Sequence, residues 1–136
     1  MTQLVVLDSE AVAGLLPEHA KHRRVLSHIQ VVADRKRRGR QINAVVPVAV
    51  RAEAGWDRSK PRWAFANQVR VVDVALDTDQ ANAAATIRAS TGVSVADAHV
   101  GSVVRSSAAD QVTVLTSDPL DIRTVAGDRK VTIVTL

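Results

Sequence analysis

Five short runs rich in valine, isoleucine and leucine punctuate this chain: Leu4–Leu7, Ile42–Val46, Val69–Val74, Val112–Thr116 and Val131–Leu136. Near-continuous apolar runs of strand length fit strands covered on both faces, as in a parallel sheet clad by helices. The intervening segments have helical character. Residues 9–16 form a short helix ended near Pro17, and a longer one starts at Glu18, with Val25, Leu26, Ile29, Val32 and Ala33 on one face. That helix closes in Arg35-Lys36-Arg37-Arg38-Gly39-Arg40, where cations suit the negative helix end and Gly39 suits the cap. Pro47 fits the first position of a third helix running to about Arg58, and Trp63–Asn67 is irregular or briefly helical. Residues 79–90 are alanine-rich and helical, a further helix runs from Ser94 to about Ala108, and a last one runs from Pro119 to near Gly127. Alternating strands and helices predict an α/β fold, a three-layer α/β/α sandwich on a five-stranded parallel sheet, with residues 1–136 forming one domain.

The chain has 136 residues and no cysteine, which excludes a disulfide framework and a thiolate zinc site. Lack of cysteine fits a reducing cytoplasm. Leu4–Leu7 has no cationic region before it and Asp8 directly after it, so it reads as a buried strand and not as a secretion signal. No apolar stretch approaches a membrane span, so no membrane partner is expected. Eighteen Lys and Arg against fourteen Asp and Glu give a net charge of +4, which favours a polyanionic partner. With Trp56, Trp63 and Phe65 as the only aromatics of that kind, a base-stacking platform is hard to build. Recognition of nucleic acid would rest on phosphates and shape. The three aromatics are core residues or contacts between subunits.

In parallel sheets the site lies beyond the carboxyl ends of the strands. Asp8 directly follows the first strand, and Asp118 follows the fourth by two residues. Glu53 sits in the second turn after the second strand, and Asp97 in the first turn of the Ser94 helix. Each has an ordinary structural role available. Asp8 and Asp118 are natural N-caps, and Ser94-Val95-Ala96-Asp97 resembles a capping box. Yet Glu53 and Asp97 are embedded among valines and alanines, which predicts burial, and a buried charge must be paired or bind metal. Arg51 and Arg58 are the available partners for Glu53. Carboxylates in this number are the oxygen donors that a hard cation takes. His19 and His22 are spaced like a metal pair, but a zinc site would need further ligands, so a solvated helix start is the plainer reading.

Four segments in order match a known family: Val5-Val6-Leu7-Asp8-Ser9, Val46-Pro47-Val48-Ala49-Val50-Arg51-Ala52-Glu53, Gly92-Val93-Ser94-Val95-Ala96-Asp97-Ala98, and Leu115-Thr116-Ser117-Asp118-Pro119-Leu120-Asp121-Ile122. Over nearly its whole length the chain resembles the PIN-domain ribonucleases, and within them the VapC-type toxins of toxin–antitoxin pairs. The resemblance implies strand order 3-2-1-4-5 and an acidic cluster binding Mg²⁺, or Mn²⁺ in its place, to hydrolyse RNA. The family's acids fall on Asp8, Glu53, Asp97 and Asp118. Asp8, Asp97 and Asp118 would contact metal, Glu53 would orient or deprotonate the attacking water, Asp121 is a secondary acid, and Thr116 and Ser117 could hold a metal-bound water. His99 departs from the apolar stretch usual after the third acid. The resemblance also implies an inhibitory antitoxin protein and a homodimer. The competing expectations are a non-toxin RNA-processing nuclease and a catalytically silent RNA- or protein-binding module. A haloacid-type phosphatase would need an acid in the position of Asp8 followed two residues on by a second Asp, where Glu10 stands. Asp73 and Lys130 are poorly placed for a phospho-accepting receiver.

Overall fold

A computed structural model describes all of residues 1–136. The elements are β1 (Thr2–Leu7), α1 (Ser9–Ala13), α2 (His22–Arg37), β2 (Gln41–Pro47), α3 (Val48–Ala54), a 3₁₀ turn (Pro61–Trp63), α4 (Ala64–Gln68), β3 (Val71–Val74), α5 (Thr78–Thr91), α6 (Val95–Ser106), β4 (Gln111–Thr116), α7 (Pro119–Ala126) and β5 (Thr132–Thr135). All five apolar runs are strands, paired in the order β3-β2-β1-β4-β5 with every pair parallel. That is the order implied by the motif resemblance. The chain runs from β1 outward to β3, then across to β4 and β5, and with the right-handed crossovers usual for parallel strands the helices before and after β3 cover opposite faces. The direction reverses at β1, whose neighbours are β2 and β4. The crevice between β1 and β4 at their carboxyl ends is therefore the switch point where such sheets hold ligands.

One cluster of 33 buried apolar residues forms the core. Val6, Leu7, Val46, Val114 and Leu115, at the carboxyl halves of the three central strands, have no exposed surface. Helix α2 lies over β2, with Val25, Ile29 and Val32 buried. No helix is long and apolar enough to cross a membrane.

Element boundaries differ from the sequence-based expectation where tertiary contacts set them. Helix α3 stops at Ala54 instead of continuing to about Arg58, because Gly55 adopts φ 77° and ends it in the left-handed region. Pro47 is the last residue of β2 and the N-cap of α3, not its first helical position. Turns occupy Pro17–Lys21, so α2 begins at His22 and not at Glu18. Helix α2 also opens against its own dipole. It has no side-chain cap and no acid in its first turn, where Arg23 and Arg24 stand instead. Each cation at a positive helix end costs about 0.3–1 kcal/mol when exposed at low salt.

Trp56 and Trp63 are not subunit contacts. They stack at 5.8 Å with 2% and 3% exposure, and Trp56 donates its indole N–H to Asn67 at 2.9 Å. Phe65, half-buried, packs edge-on to His22 at 5.3 Å.

Helix α6 approaches α7 closely at Gly101. An added methyl there would stand 2.8 Å from both Cβ and the carbonyl oxygen of Val125. Alanine is the better helix former by about 1 kcal/mol, but overpacking a rigid backbone contact costs about 1–3 kcal/mol. Gly101→Ala is therefore expected to lower the denaturant midpoint in urea unfolding, with the α6–α7 contact as the cause.

Candidate active site

Asp8 ends β1 and caps α1. Its Oδ1 accepts the Ser9 N–H at 2.8 Å, and its Oδ2 accepts the Thr116 hydroxyl at 2.8 Å. The Thr116 oxygen in turn accepts the Asp118 N–H at 2.9 Å. This chain of hydrogen bonds crosses the switch point and joins the ends of β1 and β4. Asp8 is 6% exposed and Thr116 fully buried. The Thr116 hydroxyl thus holds Asp8 in place. Ser117 is exposed at the rim.

The other acids gather round this anchor. Asp118 caps α7 and accepts the Asp121 N–H at 3.4 Å. Asp97 lies in the first turn of α6, where its N–H is donated to the Ser94 hydroxyl at 3.1 Å. Glu53 projects from α3 and is exposed, not buried as its small apolar neighbours predicted. Alanines beside it are exposed or half-buried too, so they reflect helix preference and not a dry environment. Arg51 and Arg58 do not pair with it. Both bind Asp73 on β3, at 2.6 and 2.7 Å, and Arg58 also lies 4.2 Å over the Trp56 ring. His19 turns out to face Glu10 at 3.3 Å, and His22 bonds the Gly14 carbonyl at 2.9 Å, so neither is free as a metal ligand pair.

The carboxylates act on one another. Burial pushes Asp97 up to about 6, helped by the negative charges of Asp8, Asp121 and Glu53 and opposed by the Ser94 hydroxyl. Burial likewise raises Asp8; the Ser9 amide and Thr116 hydroxyl counter it, and the charges of Asp118 and Glu10 add to it. Asp121 is raised first by a carboxyl–carboxyl contact with Asp118, then by partial burial and by the charges of Asp118 and Asp8. The four predicted acids and Asp121 are thus brought to one edge, linked through Asp8 and Asp97. Glu10, in the first turn of α1, joins the field felt by Asp8. Its position two residues beyond Asp8 was the available signal for that.

No three Asp, Glu or His side chains converge into a ready-made metal-ligand set. In chemistry, though, the donors fit a hard divalent ion. They are carboxylate oxygens only, two of them raised by burial and mutual repulsion that a cation would relieve. At an effective dielectric near 20, two charges about 5 Å apart repel by about 3 kcal/mol.

His99, two residues beyond Asp97, is fully buried, and its Nδ1 accepts the Ala49 N–H at 3.3 Å. Pro47 supplies no side-chain cap to α3, so the imidazole from α6 serves one of the free amides of that helix. Burial holds the ring below its usual pKa, and an accepting Nδ1 makes it neutral with the proton on Nε2. Nε2 has no well-formed partner, although the Ala75 carbonyl lies on its side. The ring thereby ties the helix of Glu53 to the helix of Asp97.

No protein-family model matches the chain, and no curated protein matches it in sequence. Any functional reading rests on the geometry of this edge and on the motifs that build it.

Two stability outcomes follow from the site. Thr116→Val keeps shape but leaves a buried Asp8 oxygen without its donor, so unfolding at pH 7 should lose about 1–3 kcal/mol. Asp97 titrates higher folded than unfolded, where its value is 3.8. The folded chain then holds the extra proton between about pH 4 and 6, and stability falls as pH rises through that window. Asp97→Asn should therefore raise the melting temperature at pH 7 to 8, and the gain should vanish below about pH 4. A gain that persists at pH 3 would place the effect elsewhere than in the carboxyl charge.

Proposed function

We propose that this edge is the catalytic centre of a divalent-metal-dependent endoribonuclease of PIN type, acting as the toxin of a toxin–antitoxin pair. The observation that carries the reading is the placement of Asp8, Glu53, Asp97 and Asp118 along the carboxyl edge of a 3-2-1-4-5 sheet, with Asp97 raised by burial and then by the charges of its acidic neighbours. The toxin assignment rests on the motif resemblance.

Asp8, Asp97 and Asp118 would hold Mg²⁺ or Mn²⁺. The ion, when bound, supplies charge neutralisation and Lewis-acid polarisation of the scissile phosphate. Asp8, fixed by Ser9 and Thr116, would be the rigid member of the set that holds the ion. Glu53, exposed and near enough for its charge to raise Asp97, would take the proton from the attacking water. The carboxyl contact with Asp118 raises Asp121, a shift that a cation at this edge would relieve.

A silent binding module is the second reading, and the lack of a preformed three-acid set is the observation in its favour. Cleavage decides between them. The purified chain should cut RNA with Mn²⁺ or Mg²⁺ and stop with a chelator. Asp8→Asn and Asp97→Asn should each lower the rate at least a hundredfold while remaining folded by circular dichroism. Millimolar Mg²⁺ should also raise the melting temperature of the wild type, by mass action, and raise that of Asp97→Asn less. Retained cleavage in both variants would sink the assignment.

The partners in this reading are RNA, an antitoxin and a second copy of the chain, all placed in the cytoplasm. Val95 and Leu120, 46% and 75% exposed beside Asp97 and Asp118, offer the apolar contacts for an inhibitor that lays an Arg among the acids. Expression of the chain alone should slow growth, Asp97→Asn should not, and the neighbouring open reading frame should restore growth and co-purify. A chain that cuts RNA yet leaves growth untouched would point to RNA processing instead.

A further inference from the structure

We propose that the outer face of α2 is a phosphate track that holds RNA beside the acidic edge. The inference extends the nuclease reading by naming where the substrate backbone lies.

Charge in this chain is highly segregated. Between Lys21 and Arg40, eight Lys and Arg accompany one acid, Asp34. That segment carries +7 while the whole chain carries +4, so everything else carries −3. Because β1 and β2 are parallel, α2 must start at the carboxyl edge, where the acids gather, and end at the opposite edge. The contact of Lys21 with Glu10 at 3.6 Å places the start of α2 beside the acidic site.

Val25, Ile29 and Val32 face the core. Arg24, Val31, Arg35 and Arg38, spaced by seven, four and three residues, form one exposed stripe along the other side. It is about 21 Å long at 1.5 Å per residue, enough for several successive phosphates. Arg23 lies next to its upper end, and Arg23, Arg24, Arg35 and Arg38 meet no carboxylate.

The cations at the two ends of α2 have different explanations. Those from Arg35 onward suit the negative helix terminus. Arg23 and Arg24 do the reverse, since they crowd an uncapped positive terminus with no acid in its first turn, and neither pairs with a carboxylate. A local rule broken without a paired acid marks a functional demand. Arginine suits phosphate through its planar fork of donors. RNA fits better than an acidic protein surface, because protein interfaces need apolar anchors at their centre and the stripe offers only Val31. The apolar groove beside α2 opens on its opposite flank, at Leu26, Gln30 and Ala33.

The test is binding of the full chain to a fluorescein-labelled 20-nucleotide oligouridylate, followed by anisotropy in EDTA so that no cleavage intervenes. The slope of log affinity against log salt falls by about 0.7 for each single-strand phosphate contact removed. Arg23→Ala/Arg24→Ala and Arg35→Ala/Arg38→Ala should each lose about 1.4 from the slope, and binding should weaken at least tenfold at 0.1 M salt. Arg23→Ala/Arg24→Ala should also melt at or above the wild-type temperature, which excludes unfolding as the cause. An unchanged slope in both variants overturns the track, as does tighter binding of poly-glutamate than of the RNA. If binding behaves as expected but Mn²⁺ yields no cleavage, the nuclease reading falls and the track stands. If RNA is cut while both slopes stay unchanged, the track falls alone.

Discussion

A single buried carboxylate organises this molecule. Asp8 sits where β1 meets α1, at the point where the sheet reverses its direction of growth, and it is nearly sealed from water. An unpaired charge there would be expensive. The Ser9 amide and the Thr116 hydroxyl make it tolerable, and each of those donors ties down another element. Ser9 fixes the start of α1. Thr116 fixes the end of β4 and, through the Asp118 amide, the entry to α7. The acids on those elements therefore inherit their positions from one hydrogen-bonded centre. Asp97 and Glu53 arrive by a second coupling, in which the neutral imidazole of His99 joins α6 to the uncapped end of α3.

Much of this architecture was legible in the sequence because parallel, doubly covered strands must be continuously apolar. All five runs are strands, and the acids that end them reach the carboxyl edge as the switch-point rule requires. The errors arose where a local pattern stood in for a distant contact. Alanines around Glu53 looked like a dry pocket, yet they only record helix preference on an exposed face. Arg51 and Arg58 looked like partners for Glu53, but Asp73 lies across the β2–β3 pairing, a neighbour that sequence spacing cannot reveal. The bond of Thr116 to Asp8, which spans 108 residues of chain, was likewise invisible to spacing. The end of α3 depends on the left-handed Gly55, a signal present in the sequence and overridden by the expectation of a longer helix.

The charge distribution and the fold obey the same logic. A parallel sheet with helical crossovers has two chemically distinct edges, and every element leaving the carboxyl edge starts with a helix N-terminus. Acids are at home there, because they cap free amides and complement the dipole. Asp8, Asp118 and the Ser94-to-Asp97 turn follow that rule. Arg23 and Arg24 violate it at the same edge, in the first turn of a helix that has neither a side-chain cap nor an acid there. The edge thus carries a negative centre with a positive flank, an arrangement that local stability alone would not select.

The energetics of Asp97 point the same way. Its ordinary structural service, as the amide donor of a helix-start turn, requires no ionised side chain. Asparagine would keep that turn and escape both the burial and the repulsion that raise the carboxyl to about 6. The chain instead keeps a carboxylate that destabilises the folded form at neutral pH. Asp8 shows the same choice, since burial raises it and the charges of Asp118 and Glu10 add to that, against the Ser9 and Thr116 hydrogen bonds. Two acids that both work against folding, set at the switch point of a parallel sheet and adjoining an exposed third and fourth, concentrate negative charge that a proton or a cation would relieve. Stability given up at a site is a physical mark of function that does not depend on likeness to any other protein. In the proposed reading it is recovered when the divalent ion binds, which makes the ion part of the folded ground state as well as of the chemistry.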